Sequence, residues 1–284
     1  KNRLVKIEQH QSGDKFWDCS IDRFHERIRA FVKIEDGCDR FCSYCIIPKS
    51  RGRVRSKPLD TLKNEIEALA NGGIREIVLV GINLSAYGKG EDFNIVDAVK
   101  ICNENEKIKR IRLGSLEPDH LTDEVIEGLA SCEKLCPQFH ISLQSGCNKT
   151  LKSMNRHYTA EEYKALCTKL RASFDDASLT TDVMVGFNDE TEADFNESLD
   201  FVKDIAFEKV HVFPYSERVG TAASKRGDNV SKQEKEHRAA VMIEETEKRR
   251  PVNSRLFLTG RRTGIQGNHC RVSRFFQNYL LFRF

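Results

Sequence analysis

The strongest constraint on the fold is an alternation, repeated six times, of a short apolar strand-like run with a helical periodicity. Strands are expected at residues 30–34, 76–80, 111–113, 139–143, 179–185 and 210–213. After the first, Leu62, Ile66 and Leu69 share a helix face, with Pro58 near its first turn and Gly72–Gly73 closing it. Ile95, Val99 and Cys102 mark the next helix face, and further helices are expected at 122–131, 149–154 and 160–172. A capping-box-like Thr191-x-x-Asp194 opens a helix carrying Phe195, Leu199 and Val202, and a long charged helix occupies 231–250. Strict alternation implies an α/β fold, a parallel sheet with helices on its faces. Right-handed crossovers curl such a sheet into a partial barrel or spread it as a doubly wound sheet. In both, chemistry belongs on loops at the C-terminal ends of the strands.

Composition excludes several classes. With 31% charged and 39% hydrophobic residues the chain is globular in character, and no window reaches the roughly 18 apolar residues of a spanning helix. No leader-like segment is recognised and the first residue is Lys1, so the chain reads as a fragment of a cytoplasmic protein. In a reducing compartment its ten cysteines serve as metal ligands or small apolar residues. The net charge of +3 conceals an asymmetry: nine of the 46 Lys and Arg, and no acid, fall in residues 248–284. The remaining body is mildly acidic, and the basic tail suggests an anionic partner.

The most specific motif is Cys38-Asp-Arg-Phe-Cys42-Ser-Tyr-Cys45, on the loop after the first strand. A structural zinc site wants four ligands, and no fourth Cys or His lies nearby in sequence. Three thiolates on a 4Fe–4S cluster leave one iron open to an exogenous ligand, a catalytic arrangement. A zinc knuckle completed by a distant residue is the alternative. Cys102 and Cys167 fall on helix faces and read as core residues; Cys132 and Cys136, four apart, suggest a second metal pair but have no companions and read as ordinary buried or surface cysteines, while His211 reads as a satisfied histidine inside the last strand.

At this motif the chain resembles the radical S-adenosylmethionine (SAM) enzymes, whose shared fold is a partial (β/α)6 barrel. The longer string Ile34-Glu-Asp-Gly-Cys-Asp-Arg-Phe-Cys-Ser-Tyr-Cys-Ile-Ile-Pro48, followed by Arg51-Gly-Arg53, is similar to the methylthiotransferases. So are Leu143-Gln-Ser-Gly146, Met154-Asn-Arg156 with Tyr158, and Phe213-Pro-Tyr-Ser-Glu-Arg218 with Gly220-Thr221. Val80-Gly-Ile-Asn83 with Tyr87-Gly88, Arg112-Leu-Gly-Ser-Leu-Glu-Pro118 and His211-Val-Phe-Pro-Tyr215 look most like the MtaB branch, which methylthiolates threonylcarbamoyl-adenosine beside the tRNA anticodon. The branches acting on isopentenyl-adenosine or on a ribosomal-protein aspartate are the alternatives. A catalytically silent, metal-containing RNA-binding scaffold is the competing class.

The resemblance implies an enzyme with an α/β radical SAM barrel over residues 25–250 and a short basic C-terminal appendage. Cys38, Cys42 and Cys45 would hold the catalytic cluster. Carbon 2 of adenine bears no acidic proton, so its C–H needs radical chemistry, which the cofactors carry. Tyr44, Gly81, Asn83, Ser142, Gln144 and Asp182 are expected to contact SAM. A second cluster is expected in an N-terminal domain upstream of Lys1, since Cys19 alone cannot hold one; residues 1–24 would be the linker from that domain. The chain by itself is therefore expected to cleave SAM but not to insert sulfur. The implied partners are a tRNA anticodon stem-loop and a reducing electron donor, with the protein acting as a monomer away from membranes.

Two further expectations concern RNA. Lys49, Arg51, Arg53, Arg55 and Lys57 alternate after the cluster loop and, in an extended segment, would form one phosphate-tracking stripe. Leu256-Phe-Leu-Thr-Gly260 looks like the opening of the small RNA-binding domain called TRAM, although residues 268–284 depart from its pattern. The family usually has Gly-Phe-Pro-Gly-Glu-Thr where this chain has Gly186-Phe-Asn-Asp-Glu-Thr191, which puts SAM contacts from that turn in doubt.

Overall fold

The computed structural model describes residues 14–17 and 28–248. Cys19, the TRAM-like segment at 251–284 and all of the expected linker but residues 14–17 lie outside the described residues.

Six parallel strands form the framework. β1 (Arg29–Lys33) leads into a two-residue β2 (Glu35–Asp36), a short α1 (Ile47–Arg51) and β3 (Arg55–Ser56). Then follow α2 (Leu59–Asn71), β4 (Glu76–Val80), α3 (Ile95–Glu104), β5 (Arg110–Leu113), β6 (Ser115–Leu116) and α4 (Asp123–Ala130). The second half runs β7 (Gln138–Ile141), α5 (Asn148–Ser153), α6 (Ala160–Ser173), β8 (Ser178–Val185), α7 (Glu192–Ile205), β9 (Lys209–Pro214) and α8 (Lys232–Lys248).

The expected elements all appear with small shifts at their ends, and the local signals explain their bounds. Pro58 precedes α2, and Thr122 caps α4. The Thr191–Asp194 capping box opens α7 as read, and two unread boxes, Asn94–Asp97 and Thr159–Glu162, open α3 and α6. No helix among the described residues is long and apolar enough to cross a membrane.

Neighbouring strands are consecutive along the chain. β1, β4 and β5 pair in that order, and β6, β7, β8 and β9 follow in theirs. The two sheets are one series, because β5 and β6 are separated only by Gly114 and Ile111 bridges to the segment entering β7. A doubly wound sheet reverses its strand order at a switch point; this one never does. Among the described residues no pairing joins β9 to β1, so the barrel is partial.

The two faces of the sheet differ sharply. Ala30, Val32, Ile77, Leu79, Ile111, Leu113, Phe139 and Ile141 pack into one hydrophobic core with the helices. Cys102, Cys132 and Cys167 belong to that core, and Cys136 is buried too. The alternate row, on the side away from the helices, carries polar groups at Arg29, Glu76, Arg110, Arg112, Gln138, His140, Thr180 and Asp182, together with the apolar Phe31, Val78 and Met184. It lines the lumen. Near the start of β4, Glu76 binds three arginines, with contacts of 2.6 Å to Arg29 and 2.9 Å to both Arg110 and Arg112.

Candidate active site

The cysteine loop is fixed at its base before any ligand is considered. Glu35 and Asp36 pair antiparallel with Ser56 and Arg55, and the Cys38 N–H donates to the Gly52 carbonyl at 3.0 Å. Gly37 occupies the left-handed region at φ +91°, where an added Cβ would lie 1.9 Å from the Arg53 carbonyl oxygen. Only glycine closes the loop here.

Long-range contacts hold the rest of the loop. Arg40 is buried, and its guanidinium binds Asp119 at 2.5 and 2.7 Å and lies 3.6 Å from Glu117. The Ser43 N–H donates to the Met154 carbonyl at 2.9 Å, and the Ala223 N–H donates to the Ser43 carbonyl at 2.7 Å. The loop is thus tied to the ends of β6, α5 and the segment after β9. These are loops at the C-terminal mouth of the barrel.

The three thiols sit in a polar surround. Arg156 Nη1 donates to Cys42 Sγ at 3.3 Å, and its other nitrogens reach Glu117, Tyr158 and the Ser142 carbonyl. Burial is the main force pushing the Cys38 thiol up to about 12; the Arg40 N–H opposes it, and Cys42, Glu117 and Cys45 add to it. A cationic centre would reverse that balance, since thiolates are the ligating form. Among the described residues no three His, Cys, Asp or Glu are spaced to hold a single metal ion. Three cysteines on one loop, with N–H donors on Cys38 and Cys42, suit a wider iron–sulfur cluster.

Beside the loop, Glu35 explains Gly81 and Asn83. Glu35 is fully buried, and its Oε2 accepts the Asn83 N–H at 2.7 Å. A Cβ on Gly81 would fall 2.6 Å from that same oxygen. Glu35 Oε1 and Asn83 Oδ1 are buried without hydrogen-bond partners. Two buried oxygens without hydrogen-bond partners at the ends of β1 and β4 call for a ligand, because leaving them unpaired is costly. Burial raises the Glu35 carboxyl to about 8, against the N–H groups of Asn83 and Ile82.

The other predicted contacts divide. Tyr44 is half-buried in a second apolar cluster with Met154, Phe187, Tyr215 and Ala223, edge-on to Phe187 at 6.1 Å. Ser142 lies next to the loop through Arg156, and its carbonyl also accepts the Tyr158 hydroxyl at 2.9 Å. Gln144 takes a left-handed φ of 70°, and its N–H donates to the Asp182 carbonyl at 2.8 Å. Asp182 lies midway along β8, with His140 Nε2 3.3 Å from its carboxylate. His140 also meets Thr180 at 3.0 Å, and its ring is 5.8 Å from His211.

The basic stripe needs correction. Residues 47–51 form a short helix rather than an extended strand, so the alternation does not place five cations on one side. Lys49, Arg51 and Arg53 are exposed, but Arg55 turns toward Asp36 at 3.5 Å. Lys57 is 1% exposed and its ammonium is bound by Glu65, so it faces the core and takes no part in a stripe.

In the altered turn after β8, Asp189 adopts φ 62°, and the Asn188 side chain donates to the Ala223 and Gly227 carbonyls. The left-handed turn position survives without glycine and is tethered to the segment after β9.

Residues 32–202 match the radical SAM superfamily. The chain belongs to that superfamily. It is 42% identical over 243 residues to a tRNA-2-methylthio-N(6)-dimethylallyladenosine synthase of Clostridium botulinum, covering 85% of this chain and 54% of that protein. It is 39% identical over 244 residues to the threonylcarbamoyladenosine tRNA methylthiotransferase MtaB of Thermotoga maritima, covering 86% of this chain and 56% of that one. The chain thus spans about half the length of these curated relatives. Among solved structures, coproporphyrinogen III oxidase (HemN) from Escherichia coli aligns with a TM-score of 0.63 at 17% identity, over 85% of this chain and 60% of that chain. The radical SAM methyltransferase TsrM from Kitasatospora setae aligns at 0.55 and 16% identity, over 65% of this chain and 36% of that chain. Both likenesses concern the fold alone.

Glu35, Arg40, Glu117 and Arg156 all fall inside the quoted motifs, yet none is assigned a role there from sequence. Their partners lie tens of residues away, 48 between Glu35 and Asn83 and 114 between Cys42 and Arg156. No local spacing records such pairs.

Proposed function

We propose that this chain is the radical SAM core of a tRNA methylthiotransferase acting on carbon 2 of threonylcarbamoyl-adenosine beside the anticodon. The observation that carries the reading is the three-thiol loop, fixed at its base and set beside the unpartnered oxygens Glu35 Oε1 and Asn83 Oδ1. Cys38, Cys42 and Cys45 would hold a 4Fe–4S cluster. Bound there, the cluster and SAM supply one-electron chemistry able to act at an aromatic C–H.

The protein's part is binding and orientation. Asn83 Oδ1 offers an acceptor to the amino N–H donors of SAM, Glu35 fixes the Asn83 backbone, and Gly81 leaves room for the Glu35 carboxyl. Tyr44, with Phe187, offers an apolar and aromatic wall to the adenine ring. Ser142 and Gln144 hold the strand-end backbone at the mouth, and Asp182 presents a carboxylate in the lumen. The hydrogen-bonding groups of His140, Thr180 and Asp182 favour a hydrogen-bonding N6 substituent over an apolar isopentenyl group. The two curated relatives carry both substrate names, so identity does not choose between them.

In this reading the partners are a tRNA anticodon stem-loop and a reducing electron donor, the second cluster lies outside these residues, and the protein works as a cytoplasmic monomer. Anaerobic reconstitution should give one 4Fe–4S centre per chain by Mössbauer spectroscopy and 5′-deoxyadenosine on reduction with SAM. A colourless protein that leaves SAM intact would refute it. Nucleoside mass spectrometry of a deletion strain should show loss of the methylthio group from threonylcarbamoyl-adenosine alone; loss from isopentenyl-adenosine instead would reassign the substrate.

A further inference from the structure

Phe41 stands out on the cluster loop. Its neighbours Arg40 and Cys42 are buried, yet its own ring is 52% exposed. Its backbone lies at φ 52°, a conformation that bulky residues rarely adopt. The conformation is held from both sides. The Arg40 guanidinium is anchored by Asp119, and Asn155 Nδ2 donates to the Phe41 carbonyl at 3.0 Å. The strained backbone leaves an aromatic side chain half exposed at the mouth of the barrel.

The ring already has a cation. Arg53 Cζ lies 5.4 Å from its centroid, and the Arg53 side chain is 68% exposed. Asp39 steadies that guanidinium at 3.5 Å and is itself shared with Lys89 at 3.0 Å. Lys49 and Arg51 are exposed on the same segment, where the Lys49 ammonium also donates to the Gly220 carbonyl. An exposed aromatic face, a guanidinium beside it and flanking cations together match what a single-stranded nucleic acid needs: a π-surface for a base and charge for its phosphates.

We propose that Phe41 and Arg53 form a stacking platform for an unpaired nucleobase next to the one held in the barrel, with Lys49 and Arg51 tracking the adjoining phosphates. The assignment rests on the RNA-substrate reading above. It replaces the five-residue stripe expected from sequence with three cations and one aromatic ring.

The test is fluorescence anisotropy of a labelled anticodon stem-loop RNA with the reconstituted chain, across a range of salt concentrations. Phe41→Leu, which keeps apolar bulk, should weaken binding on the order of 5- to 100-fold, and Phe41→Trp should restore it. The slope of log K against log salt should stay unchanged in Phe41→Leu, because stacking releases no counterion. In Arg51→Ala the slope should fall by roughly 0.7. Iron content of each variant verifies that the loop still folds. Unaltered affinity in Phe41→Leu, with RNA still bound by the parent chain, would overturn the platform alone. If Phe41→Leu instead changed only the sedimentation of the chain, Phe41 would be a protein contact and the platform would be wrong. No RNA binding by the parent chain would overturn the RNA reading and the platform with it.

Discussion

Glu76 offers the sharpest test of how the barrel is held. Its carboxylate is 2% exposed and binds Arg29, Arg110 and Arg112 across three adjacent strands. Arg112 is 7% exposed and therefore weighs most, whereas Arg110 at 46% is well screened and contributes little. Removing one partner of a buried pair costs about 3–5 kcal/mol, so Glu76→Leu should lose that much, chiefly through the loss of the carboxylate that faces the buried Arg112 charge. Glu76→Gln keeps an acceptor oxygen and should lose about 2–4 kcal/mol, since a neutral hydrogen bond returns roughly 1 kcal/mol. For a domain of this size that is a fall in Tm of about 4–16 °C. Burial alone would raise the Glu76 carboxyl, but the Arg110 hydrogen bond and the Arg29 and Arg112 charges outweigh it and hold it below the ordinary glutamate range. The linked stability is therefore present above about pH 4.3, the unfolded value, and is lost as pH falls through the lower folded value. Urea unfolding of the metal-free chain, followed by circular dichroism, should show the gap between parent and Glu76→Gln closing below about pH 4. A neutral-pH gap under about 1 kcal/mol, or one that persists in acid, would refute the assignment.

Three further outcomes are expected. Gly37→Ala places a Cβ 1.9 Å from the Arg53 carbonyl at a φ of +91°, so iron uptake on reconstitution should fall severely while the barrel still melts cooperatively. Lys57→Met should cost about 3–5 kcal/mol by removing the cation that faces the buried Glu65 carboxylate, yet leave the salt dependence of RNA binding untouched; a changed salt slope would return Lys57 to the surface. Arg156→Met removes a cation 3.3 Å from Cys42 Sγ and frees Glu117, so the cluster's midpoint potential in an EPR redox titration should become more negative, and an unchanged potential would disconnect Arg156 from the cluster.

Local signals made the elements legible. The Thr191–Asp194 box, Pro58 before α2 and the β-branched run at Glu76–Val80 each act within a few residues, and each lies where the sequence places it. The cysteine spacing is local too. What the sequence left hidden is contact between loops that a parallel sheet brings together: Glu35 with Asn83, Arg40 with Asp119, Cys42 with Arg156. Lys57 fails for a related reason. Alternation puts side chains on one side only in an extended segment, and residues 47–51 are helical.

One signal was nonetheless available for choosing between a partial barrel and a doubly wound sheet. A parallel sheet covered by helices on both faces reads as continuous apolar runs. Here Arg110-Ile-Arg112-Leu113, Gln138-Phe-His140-Ile141 and the stretch through Thr180 and Asp182 alternate instead. Parallel strands that alternate must bury one face against helices and turn the other toward something polar. In an open barrel that something is the lumen, so the same residues that break the apolar runs line the cavity. Glu76 and Arg112 tie its strands together, and His140, Thr180 and Asp182 meet farther along the row. The interruption of hydrophobicity in β5, β7 and β8 is thus the sequence trace of the barrel lumen.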